Sequence, residues 1–165
     1  MSPNRVSRTQ LLLVMALLMV LQFYVRPRLW DARISPDFLL IALMLFAMRT
    51  SPGVAALAGF AVGLIADTFT PARFGAGALA HTLVGYLAAW GRSVFFADNM
   101  LVNAGFVAAG LWIRDLIVLL ASGSDHRQLL TELTFYSPVQ ALITAGFALT
   151  VLIVFRAWFS VRLDA

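Results

Sequence analysis

Residues 59–86 read GFAVGLIADTFTPARFGAGALAHTLVGY, and how they are read decides the fold. Two apolar segments flank a short turn marked by Pro71, Gly75 and Gly77, and the acid Asp67 stands where the first segment ends. Ala55, Gly59, Gly63 and Asp67 recur at every fourth position, so on a helix a strip of small residues runs up one face and finishes in a carboxylate. Such a strip admits the backbone of another helix at close range. Packing within the chain is the expectation, and a partner's helix is the alternative. Gly110 and Asn103, in a later apolar run, fall under the same expectation.

Outward from this stretch, the apolar runs continue along nearly the whole sequence. Hydrophobic content is 61% and charged content only 12%, too apolar for a soluble domain of 165 residues, which would need a mostly polar shell. The runs are continuous rather than alternating, so they are membrane helices and not barrel strands. Hydrocarbon offers the backbone no hydrogen-bonding partner, and helices supply their own. The chain has no cysteine, which removes disulfides, thiolate metal sites and cysteine nucleophiles. Its basic residues are all arginine and sit mostly at the ends of apolar runs. They read as membrane anchors rather than as a nucleic-acid surface.

The expected architecture is all-α, a single transmembrane domain over 1–165 with about six spans: 9–25, 36–51, 53–69, 75–91, 100–121 and 138–156. The first run follows Arg5 and Arg8 and resembles a signal peptide. Arg26, Pro27 and Arg28 come after it in place of a small-residue cleavage site, so it is expected to stay as an uncleaved helix. The second span is the weakest. Its strongly apolar part, Phe38–Met48, reaches about half of the roughly 30 Å a bilayer core requires; it is expected to extend from Pro36 to Ser51 as a short full crossing, with a partial insertion packed against neighbouring helices as the alternative. Residues 125–136 read as a short interfacial helix with Asp125 as its N-cap, and Phe95, Phe96 and Asp98 as an interfacial turn.

An even number of spans puts both termini on one side. Counting arginines gives near parity between Arg5, Arg8, Arg49, Arg92, Arg156 and Arg162 on that side and Arg26, Arg28, Arg33, Arg73 and Arg127 on the other. The basic leading tail of the first helix favours cytoplasmic termini. Counting depth along alternating spans then places Asp67, His81, Arg114, Asp115 and Gln140 in one polar layer toward the outer face. A buried charge in hydrocarbon needs a partner or water. The simplest expectation is a structural ion pair between Arg114 and Asp67 or Asp115. An ion relay or the polar floor of a ligand pocket are the functional alternatives. The layer holds too few ligands for a metal site, and no cofactor is implied.

Enzyme classes find little here. An intramembrane serine protease needs a serine in a Gly-x-Ser-Gly setting within a helix, whereas Ser122 and Ser124 lie in a loop and His81 has no such partner. No glycine-rich phosphate loop is present.

The run SPDFLLIALMLFAMR from Ser35 to Arg49, then GFAVGLIAD ending at Asp67, a short turn, and the segment Gly75 to Tyr86 together resemble the rod shape-determining protein MreD family. Asp37 after Pro36, and the Gly59, Gly63, Asp67 series, carry the resemblance. It implies a non-enzymatic scaffold of the bacterial cell-elongation complex in the inner membrane. Such a scaffold binds MreC and, through it, MreB, RodA and a class B penicillin-binding protein, in support of peptidoglycan synthesis. It also implies an architecture similar to the substrate-binding subunits of energy-coupling-factor transporters, which supplies the alternative function: the binding subunit of a vitamin-type transporter.

Overall fold

The structure, a computed structural model, describes residues 8–29, 31, 33–95 and 100–155. Among these residues it is all-helical: α1 Arg8–Val20, α2 Phe38–Ala47, α3 Pro52–Asp67, α4 Ala76–Phe95, α5 Met100–Ala121, α6 His126–Thr131 and α7 Ser137–Val154. Three helical stretches, Gln10–Arg28, Leu101–Ala121 and His126–Val154, are long and apolar enough to cross a membrane. Leucines, valines and aromatics lie exposed along them and along α3 and α4, as lipid-facing side chains do. The architecture is a membrane helical bundle. Trp30, Arg5, Arg156, Arg162, and Phe96 and Asp98 of the expected interfacial turn lie outside the described residues.

Two boundaries differ from the sequence expectation. The expected interfacial helix is not separate: α6 passes through a widened turn, Glu132–Tyr136, straight into α7, giving 29 residues of continuous helix. Pro138 carries no N–H to bond the preceding turn, and the chain accommodates it by widening there rather than by stopping. Trp112 on α5 donates its indole N–H to the Leu133 carbonyl of that turn at 3.2 Å. Pro27 is treated in the same way, with a widened turn at Leu21–Val25 ahead of a tight one at Arg26–Arg28. Asp125 does cap α6, its side chain accepting from the His126 N–H.

The second difference is α2. It has only 10 residues, a rise of about 15 Å. Pro36 does not open it; Asp37 is the N-cap and the first helical residue is Phe38. Nine of its residues are buried, all but Phe46, so it has no solvent or lipid face. It touches α1, α3, α4, α5 and α7. The other helices therefore pack around α2, whose Phe38 also meets Phe147 of α7 edge to face at 5.5 Å.

The tightest seam joins α3 to α4. A Cβ on Gly59 would run into the His81 carbonyl, and one on Gly63 into the Gly77 carbonyl and the Ala78 backbone. Gly85 on α4 returns the contact against the Ala55 carbonyl. The strip Ala55, Gly59, Gly63 is buried against a helix of its own chain. Gly110 on α5 faces Met44 of α2 and Val84 of α4.

Candidate functional site

A helix as short as α2, buried at both ends, cannot leave its first amides to water, so the protein must supply their partners. Three come from other helices or the cap. The Phe38 N–H donates to Gln22 Oε1 of the widened turn after α1 at 3.0 Å. The Asp37 N–H donates to Thr144 Oγ1 of α7 at 3.2 Å, and the Leu40 N–H donates to Asp37 Oδ1 at 3.0 Å. Just upstream, the Gln140 amide of α7 donates to the Ser35 carbonyl at 2.8 Å. Gln22, Ser35, Asp37, Gln140 and Thr144 are all buried, and each has a partner.

The remaining Asp37 oxygen, Oδ2, lies 2.9 Å from Arg114 Nη2 of α5, and Arg114 Nη1 lies 3.2 Å from Asp115 Oδ1. One guanidinium thus bridges two carboxylates, one of them the N-cap of the central helix. The two functions of Asp37 reinforce each other, because an anion at a helix N-terminus is also stabilised by the helix dipole. The pairing of Arg114 with Asp115 occurs; pairing with Asp67 does not.

Asp67 is occupied elsewhere. Its Oδ2 accepts from the Gly75 and Ala78 N–H groups at 2.8 and 3.0 Å, and its Oδ1 from the Gly77 N–H at 3.0 Å. The carboxylate from the end of α3 thereby caps the start of α4, where free amides and the dipole both favour negative charge. Two glycines make this possible. Gly75 has φ +94°, a backbone conformation that favours glycine, and a Cβ on Gly77 would collide with the Asp67 carboxylate.

Asp67, His81, Arg114, Asp115 and Gln140 all line one cavity of about 390 Å³, together with Arg26, Arg33, Arg73, Glu132 and Tyr136. The cavity lies where α1, α3 and α5 end and α4 and α6 begin, so the polar residues gather at one end of the bundle. His81 is buried, and its Nδ1 lies 2.8 Å from the Gly77 carbonyl. A carbonyl can only accept, so Nδ1 carries the proton and Nε2 is the lone-pair nitrogen of the neutral ring. That Nε2 has no hydrogen-bond partner within the chain, and neither does Arg114 Nε. Among the described residues no three His, Cys, Asp or Glu side chains cluster as metal ligands would.

Asp37, Gln22, Ser35 and Thr144 were not among the residues that sequence reasoning placed in the polar layer. Asp37 had a usable signal: a Pro-Asp pair immediately before an apolar run, the pattern of an N-cap. Gln22 and Thr144 offered none beyond being polar in apolar runs.

An all-helical bundle with charged groups paired at one end of its spans and lipid-facing apolar flanks defines a polytopic integral membrane protein. The family model described as "MreD: rod shape-determining protein MreD" matches residues 4–161, nearly the whole chain. The chain belongs to that family, one of cell-shape-determining membrane proteins. No curated protein and no solved structure gives a match.

Proposed function

We propose that this chain is a non-enzymatic scaffold of the bacterial cell-elongation complex. It holds MreC in the cytoplasmic membrane and thereby supports peptidoglycan synthesis by RodA and its class B penicillin-binding partner, in register with MreB. The observation that carries this reading is the family match from residue 4 to residue 161. The fastening of α2 supports it: hydrogen bonds and an ion pair tie the turn after α1, α5 and α7 to the central helix, which suits a part that holds others in place. In this reading both termini are cytoplasmic and the polar end faces outward.

The seam on Gly59 and Gly63 is filled by α4, so MreC binds elsewhere, on the lipid-facing flanks. Association there is driven by close packing in lipid, and no chemical step is needed. Depleting the protein in a rod-shaped host should give rounded cells, and tagged protein purified from membranes should bring MreC with it. Unchanged shape together with loss of MreC would overturn the reading.

The polar cavity is the one observation that favours the second reading, the binding subunit of a vitamin-type transporter with an energy-coupling-factor architecture. The family match lends that alternative no support. It predicts that a small organic ligand stays with the protein through purification.

A further inference from the structure

The charges around the polar cavity balance. Arg26, Arg33, Arg73 and Arg114 line it together with Asp67, Asp115 and Glu132, and Asp37, paired with Arg114, is the fourth acid. Four guanidinium groups are thus matched by four carboxylates. An ion entering such a space gives up its hydration and meets no excess of opposite charge. The cavity therefore favours an uncharged occupant.

Two buried groups on its wall say what that occupant carries. His81 is 3% exposed, it lines the cavity, and its Nε2 has no partner in the chain. With the proton fixed on Nδ1 by the Gly77 carbonyl, Nε2 can only accept a hydrogen bond. Arg114 Nε, also buried and without a hydrogen-bond partner, can only donate one. Hydroxyl groups answer both needs, since each donates through its hydrogen and accepts through its oxygen.

Water has the same bonding capacity, so size and lining separate it from a larger ligand. The cavity measures about 390 Å³, within the roughly 300–1,000 Å³ of small-molecule sites. Ala66, Val118 and Leu119 form part of its wall and give no side-chain partner to a water molecule, which is held in place by several polar neighbours. Carbon atoms cover such a surface without loss. Hydroxyls on a short carbon frame suit both parts of the wall.

We propose that the cavity binds an uncharged polyol, a glycerol or sugar unit, with its hydroxyl groups on His81 Nε2 and Arg114 Nε. The unit arrives either free in solution or as the headgroup of an uncharged lipid, and the recognised chemistry is the same. The site is independent of MreC binding and involves no transport step.

The test uses the full chain in phosphatidylcholine nanodiscs free of sugar-based detergent. The sequence has two histidines, so ¹⁵N-histidine labelling makes His81 Nε2 directly readable beside His126. The probes are glycerol and glucose in solution, and dioleoylglycerol in the disc. At least one should move the His81 Nε2 resonance saturably, leave that of His126 in place, and raise Tm by about 5 °C at saturation. A response to dioleoylglycerol alone assigns the lipid source, and one to glycerol or glucose alone the soluble source.

The Tm rise should be lost in His81→Phe and retained at least by half in His81→Gln, whose side-chain oxygen restores an acceptor. Ala66→Phe, which fills the cavity from α3 without changing charge, should abolish both readouts and serves if His81→Phe does not fold. No saturable movement with any of the three probes would overturn the proposal and leave water as the occupant. Undiminished binding in Ala66→Phe would overturn the cavity as the place. An equal response to dioleoyl phosphatidic acid, in which a phosphate replaces the hydroxyl of dioleoylglycerol, would overturn the selection for an uncharged group.

Discussion

The α3–α4 seam and the N-terminus of α2 hold the same bundle by opposite means. At the seam, backbone meets backbone: Gly59 and Gly63 press on the carbonyls of α4, and Gly85 presses back on α3. At α2, side chains reach across from Gln22, Thr144 and Arg114 to satisfy amides and a carboxylate that would otherwise stand alone. The first works by the absence of side chains and the second by their exact chemistry. In lipid, where apolar contact between helices is no better than contact with acyl chains, close approach and internal polar bonds are the two means left. This molecule assigns one to each region.

The comparison can be broken from the seam first, where the largest effect is expected. Gly63→Leu would drive a side chain into the Gly77 carbonyl and Ala78 backbone, which cannot yield without moving α4. No folded, monodisperse protein should be recovered in detergent, and Gly59→Leu should behave alike. By contrast Gly105→Ala, at a glycine with open space around it, should be recovered at the wild-type level.

At the other region, Asp37→Ala removes both the cap of α2 and the partner of Arg114. Breaking a buried pair from one side costs about 3–5 kcal/mol, read as a loss of thermal or denaturant stability. Asp67→Ala is expected to cost about 2–3 kcal/mol, since it leaves three amides at the start of α4 without their charged acceptor. Hydrogen exchange should rise at Gly75, Gly77 and Ala78 while the amides of α2 stay protected. The smallest effect is Thr144→Val, which removes a single bond to the Asp37 amide and should cost about 1 kcal/mol.

The two regions were not equally legible. The seam is written as a local period: small residues every fourth position on one helix, and the turn glycines that follow it. Periodicity within a segment is visible in the sequence. The clustering of Asp67, His81, Arg114, Asp115 and Gln140 around one cavity follows from depth along alternating spans, which also needs only counting.

What counting could not supply was who pairs with whom. Thr144 and Asp37 are 107 positions apart, Gln140 and Ser35 105, and nothing in the intervening sequence specifies the bond. Asp67 is one of two acids expected beside Arg114, because both are charged at similar depth, and Asp115 is the one that pairs with it. The backbone amides of α4, only a short turn away, hold Asp67 instead. The brevity of α2 is legible in the sequence, but what makes it tolerable is not, for a related reason. A 10-residue helix looks too short when only the bilayer is considered, and it becomes tolerable once other helices bury it and serve its ends.

The most direct test is a double-mutant cycle on Asp37 and Arg114, using Asp37→Asn, which keeps an acceptor for the Leu40 amide, and Arg114→Met. If the ion pair fastens α2 to α5, the double variant should lose less stability than the sum of the single losses, by on the order of 1–3 kcal/mol. Losses that add to within about 0.5 kcal/mol would contradict a fastened central helix.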